Sequence, residues 1–240
     1  MSRELSASIL SQQLLLSVAE QLKIPLLQIA RQSEVGLLTH GTRKSSDLQS
    51  IQTTADAALR LIDNYVLGIR LAFEQHELEM EPVSVSSVLY DSGQELSRLA
   101  RNYGVDLELH IGGRFGTVMA HRQGLQAALV SLGSALIEAL PALGQPQLKL
   151  QLATHRCRYG IVAGLYTDTE QLTADALRHG RQLMGGSRQP LTGLTHTAGA
   201  GVFVADSILN AMQLKLKTSR HNGLFGLGTV LLPNNQLQLV

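Results

Sequence analysis

The chain has no tryptophan, only 4% of its 240 residues are aromatic, and a single cysteine, Cys157, stands in the whole sequence. With a formal net charge of +1, this leaves nucleic-acid binding without stacking platforms or a basic field. One cysteine excludes an internal disulfide. No positively charged segment, apolar core and small-residue cleavage site opens the chain, so a cytoplasmic location is expected. Uninterrupted apolar runs are missing too. The most apolar stretch, Leu125 to Leu143, contains Gln126, Ser131, Ser134, Glu138 and Pro141, which reads as a buried helix rather than a membrane span. The spacings of a phosphate-binding P-loop, a zinc protease, a nucleophile elbow and a paired zinc site are all missing, and no metal or cofactor is expected.

What is present is a large apolar fraction, 44%, enough to bury a full core in one large domain or two small ones. Between Leu5 and Leu38, residues Leu15, Val18, Leu22, Leu26 and Ile29 recur at three and four positions and share one helical stripe. Pro25 cannot donate to the carbonyl of Gln21 and should kink this helix. After the polar connection Thr39 to Asp47, a second helix carries Ile51, Ala55, Ala58, Ile62, Tyr65, Ile69 and Ala72. Strict alternation of four and three specifies a supercoiled bundle. A two-helix hairpin cannot cover such seams alone, so a homodimer forming a four-helix bundle is expected; packing of both stripes on the rest of the same chain is the alternative.

Beyond Phe73 the pattern becomes α+β. Glu77 to Val85 reads as a linker entering a short edge strand limited by Pro82, and Ser86 to Tyr103 as a helix ended by Gly104. Half-buried strands are expected at Leu107 to Ile111, Leu148 to Leu152 and Leu214 to Lys217, and a further strand at Tyr159 to Leu165. His221-Asn222-Gly223 supplies a turn tolerant of positive φ, and Leu224 to Leu232 returns as a final strand. Helices at about 122 to 140, 169 to 183 and 201 to 212 complete a sheet with helices on one face. No internal repeat or low-complexity tract is found.

Ser17 to Leu26, SVAEQLKIPL, resembles the H box of sensor histidine kinases, S-H-E-L-R-T-P-L, with Leu22, Lys23, Pro25 and Leu26 matching and Glu20 in place of the phosphoacceptor histidine. Ile51 to Val85 resembles the family's second hairpin helix, linker and first strand, and the resemblance extends to about Pro233. It implies a helical hairpin dimerization domain at 1–78 and a degenerate Bergerat (GHKL) ATPase-like α/β sandwich at 79–240. The family's nucleotide motifs are depleted. Leu125 to Leu136, LQAALVSLGSAL, keeps leucines of the N box but has Ser131 and Ala135 where its metal-holding asparagines belong, and a methyl group cannot coordinate a cation. No D-x-G-x-G follows the strand at Tyr159; Asp168 comes late and reads as a helix cap. Gly199-Ala200-Gly201 is similar to the last glycine box, where a helix N-terminus meets phosphate, although close packing explains a lone G-x-G equally.

The eight histidines are His40, His76, His110, His121, His155, His179, His196 and His221, and none falls on the first helix. The resemblance therefore implies a catalytically inactive, histidine kinase-like signalling protein. Its expected partner is a response regulator receiver domain or a kinase, docked along Gln13, Glu20, Gln21, Lys23, Ile24, Leu27 and Gln28. Glu20 resembles a constitutively charged acceptor site, or is simply an exposed carboxylate on a bundle helix. The alternative is an atypical phosphotransferase or phosphatase that retains nucleotide at Gly199 and Gly201, with the Gln21 amide orienting water at an aspartyl phosphate. A purely structural dimerization module is the third reading.

Overall fold

The computed structural model describes residues 22, 25, 28, 29, 51, 78–143, 148–170, 175–178, 180 and 198–233. The chain divides into two compact units, Met1–Val66 and Leu67–Val240. In the first, Leu22, Pro25, Gln28, Ile29 and Ile51 are helical, with Pro25 buried and the other four half-buried. Of the expected docking residues, Gln13, Glu20, Gln21, Lys23, Ile24 and Leu27 lie outside the described residues; so do most positions of the two expected stripes.

The first strand among the described residues of the second unit is β1 (Glu81–Val83). Ser84 then caps α1 (Val85–Asn102), its hydroxyl accepting from Ser87 N, which satisfies one of the free amides of a helix start. Gly104, at φ +67, takes the left-handed conformation that stops the helix. The buried positions Val85, Val88, Leu89, Ser92, Gly93, Leu96 and Ala100 form one stripe. Then come β2 (Val105–Ile111), β3 (Val118–Ala120), α2 (Arg122–Ala139), a 3₁₀ turn at Leu140–Leu143, β4 (Leu148–Cys157) and β5 (Gly160–Thr167). After helical residues at 170, 175–178 and 180, α3 (Ala198–Ala211), β6 (Lys217–His221) and β7 (Leu224–Leu231) complete the unit.

Strands β1 and β3 form a small antiparallel pair, and the remaining strands make a five-stranded sheet in the order β2-β4-β5-β7-β6, with only β2 and β4 parallel. Helix α2 has no charged residue between Arg122 and Glu138 and is buried nearly all round, as a helix covered by neighbours on several sides must be. It packs against α1 and α3 and on the sheet. Contact is close because glycines stand where helices meet their neighbours. A Cβ on Gly133 would collide with Leu96 of α1 and lie 3.2 Å from Leu165 of β5, and one on Gly93 would lie 3.7 Å from Leu109 and 3.8 Å from Leu152.

One expected strand is corrected. Leu214 to Leu216 is not in the sheet, which β6 enters only at Lys217. Leu214 N donates to Leu209 O and Gln213 N to Asn210 O, with Gln213 at φ +58. This is a Schellman closure of α3, so the alternation of Leu214 and Leu216 with lysines reflects a helix cap followed by a buried leucine. The expected turn at His221-Asn222-Gly223 is present, with Asn222 at φ +49 and Gly223 at φ +80, the double positive φ that a two-residue hairpin loop needs.

Helices cover one face of the sheet, yet β5 is buried on both faces. His110 pairs through Ala153 and Gly164 to Gly228, and Tyr166 pairs with Gly226. The missing side chains at Gly164, Gly226 and Gly228 let the sheet coil, so that diagonally opposite corners converge over Tyr166, which is fully buried. A second, small core forms there.

Candidate functional site

The positions that resemble nucleotide motifs come together where α3 crosses α2. Ser131 and Ala135 stand one turn apart on α2, and the first turn of α3 lies directly on them. A Cβ placed on Gly201 would be 2.6 Å from the Ser131 carbonyl oxygen and 2.7 Å from Ala135 Cβ. Gly201 therefore serves close helix packing at this contact. Gly199 is also buried in the first turn of α3. Ser131 Oγ is buried and has no hydrogen-bond partner among the described residues, and Ser134, three positions on, is buried too. A hard divalent cation against phosphate takes carboxylate, amide or water oxygens; α2 offers hydroxyls and a methyl group here. Gly201→Ala is expected to lower stability by about 2 kcal/mol through overpacking, read as a shifted urea midpoint; an unchanged midpoint would mean the two helices can separate at no cost.

Asp168 lies immediately after β5. Its Oδ1 accepts from Thr167 Oγ1 at 3.2 Å and Thr169 Oγ1 at 3.1 Å, just before the helical residue Glu170. The carboxylate is thus engaged by its sequence neighbours, a local arrangement common at chain turns.

Glu138, one turn beyond Ala135 on α2, is an ionisable residue that the sequence reading treated only as an argument against a membrane span. Burial pushes its carboxyl up to about 7. Tyr103, which follows α1, is raised to about 12, by burial first and by Glu138 second.

Three histidines far apart in the sequence meet on the opposite face of the sheet. His110 Nδ1 and His221 Nε2 lie 3.1 Å apart, and His155 stacks on His221 with ring centroids 4.4 Å apart and an interplanar angle of 8°. Both His155 and His221 border Tyr166, at 5.9 and 5.4 Å between centroids, while the Tyr166 hydroxyl is 3.3 Å from Ser219 Oγ. Burial lowers the His155 pKa; burial, then His155, then His110 lower that of His221. Both shifts favour the uncharged ring in His155 and His221, two members of this three-histidine cluster. No spacing motif announced it, since its members stand on β2, β4 and β6.

No family model matches the chain, and no curated protein matches it. Solved structures do. The histidine kinase AdeS of Acinetobacter baumannii is similar at a TM-score of 0.53 and 14% identity, with 89% of this chain and 98% of that one covered. The fold is histidine kinase-like. Full-length ShkA in complex with AMPPNP is similar at a TM-score of 0.53 and 13% identity over 93% of this chain and 46% of that one. A bacterial phosphotransferase reaches 0.50 at 12% identity, covering 93% and 96%. Against this histidine kinase-like frame, the structure brings Ser131, Ala135 and Gly201 into one contact. Gln28 is helical in the other unit. Among the described residues, no helix is long and apolar enough to cross a membrane.

Proposed function

We propose that this histidine kinase-like chain is a catalytically inactive signalling protein that acts by docking a response regulator receiver domain on its N-terminal hairpin. The observation that carries the inactive half is the contact of Gly201 with Ser131 and Ala135: helix packing occupies the positions where the resemblance calls for metal-holding asparagines. The docking half rests on Glu20 at the acceptor position of a segment that resembles the H box at Leu22, Lys23, Pro25 and Leu26. A carboxylate at the acceptor position offers a charged surface without an imidazole to phosphorylate.

Titration calorimetry tests both halves. With Mg·ATP, heat equal to dilution is expected; saturable heat would favour the phosphotransferase or phosphatase reading, with nucleotide held near Gly199 and Gly201. With a receiver domain, binding is expected, and Glu20→Lys or Lys23→Glu should weaken it by about tenfold, the scale on which interface charges act. Equal affinity in both variants would remove that flank from the interface.

A further inference from the structure

We propose that His110 and His221 are the two protein donors of a site for a divalent first-row transition ion of borderline softness, such as Zn²⁺, which clasps the two edge strands of the sheet. Imidazole nitrogens bind such ions at about 2.0–2.1 Å, so two donors at angles between about 90° and 109° stand roughly 2.8–3.4 Å apart. His110 Nδ1 and His221 Nε2 are 3.1 Å apart.

The pair is not a by-product of local strand pairing. His110 is on β2 and His221 on β6, the two edges of the five-stranded sheet. Through the ladder, His110 shares a row with Gly228, whereas His221 pairs with Leu224, four residues away along β7. The coiling permitted by Gly164, Gly226 and Gly228 brings these corners together over Tyr166.

The lone pairs are within one tautomer of what a metal needs. Asn222 Nδ2 lies 3.2 Å from His221 Nε2, and an amide nitrogen only donates, so this ring nitrogen is an acceptor. His110 Nδ1 then donates to it in the metal-free state. When the ion enters, the His110 proton is carried on Nε2 instead, both facing nitrogens present lone pairs, and the Asn222 contact is given up. No proton is lost or gained overall.

Among the described residues, no group of three His, Cys, Asp or Glu side chains is arranged to hold a metal ion. The site as proposed has these two protein donors with water in the remaining positions, an open site that binds a preformed sheet rather than a closed one that drives folding. His155, whose Nδ1 is buried without a partner among the described residues, walls the pair on the His221 side by stacking. The class follows from the donors: two neutral imidazoles suit Zn²⁺, Ni²⁺ and Cu²⁺ and disfavour Mg²⁺ and Ca²⁺.

The test uses full-length protein stripped with a chelator. Addition of ZnCl₂ at about 100-fold over its dissociation constant should raise the unfolding midpoint by roughly 5 °C or more, reversed by EDTA, while MgCl₂ leaves it unchanged. The rise should vanish in His110→Gln and in His221→Gln and persist in His196→Ala, which controls for adventitious histidine binding. No rise in the wild type, or an equal rise in the two glutamine variants, overturns the proposal. Because each variant also removes a ring packed in the cluster, the wild-type protein is titrated with Co²⁺ as well: visible d–d absorption with nitrogen ligation supports the site, and a spectrum identical to the aquo ion overturns it.

Discussion

Gly226→Ala is expected to destabilise the second unit by on the order of 3 kcal/mol or more. Gly226 lies on β7 opposite Tyr166 of β5. An added Cβ would collide with the Leu165 carbonyl oxygen and the edge of the Tyr166 ring, and would stand 2.8 Å from Tyr166 Cγ. Neither neighbour has an easy retreat. The carbonyl belongs to the adjoining strand, and the ring is enclosed by His155 and His221 with its hydroxyl against Ser219. Relief therefore requires the β5–β7 ladder to open or the corner to uncoil, and either change exposes the small core around Tyr166. Gly116→Ala is the control, because nothing lies within 4 Å of a Cβ there; its effect should stay within about 0.5 kcal/mol. Urea unfolding of the two variants beside the wild type decides the matter. Matching midpoints for Gly226→Ala and Gly116→Ala would show that the outer face yields freely.

That outer face also marks where sequence reasoning stopped. Elements with local signals were legible: the helix between Ser84 and Gly104, the apolar helix from Arg122, and the hairpin at Asn222-Gly223 all carry their start, stop or turn chemistry within a few residues. Strand β3 was not, because three residues give no periodicity. Leu214 and Leu216 alternated with lysines like a strand, but the hydrogen bonds that decide their state run back to Leu209 and Asn210. In β5 and β7 the glycines carry no periodic signal of their own, and only the ladder shows that Gly226 lies opposite Tyr166. The histidine cluster was invisible for a related reason. His110, His155 and His221 are brought together by coiling, a property of the whole sheet that no window of sequence contains. The nucleotide positions were the opposite case, since Ser131 and Ala135 could be read directly, and the structure added what lies against them.

Replacing Glu138, which is half-buried near the end of α2, with glutamine should stabilise the protein at pH 8. The carboxyl is raised by burial from an ordinary value of 4.5 to about 7, so the folded state holds its proton more tightly than the unfolded chain. Below about pH 4.5 both states are protonated and Glu138 has no ionisation cost. Between about 4.5 and 7 the unfolded chain ionises first, so stability falls as pH rises, and above 7 the full difference remains. At 1.36 kcal/mol per pKa unit that difference is on the order of 3 kcal/mol. Glutamine keeps the shape without the charge, so its advantage should grow from near zero at pH 4 to about 2–3 kcal/mol at pH 8. The phenol of Tyr103 gives an independent readout. Glu138 is the second cause of its rise to about 12, and spectrophotometric titration of Glu138→Gln should show that phenol ionising at lower pH while burial keeps it above the ordinary 10.0. Unfolding curves of wild type and variant that stay parallel from pH 4 to pH 8 would mean the carboxylate finds water in the native state, and with it the charge cost assigned to this end of α2 would disappear.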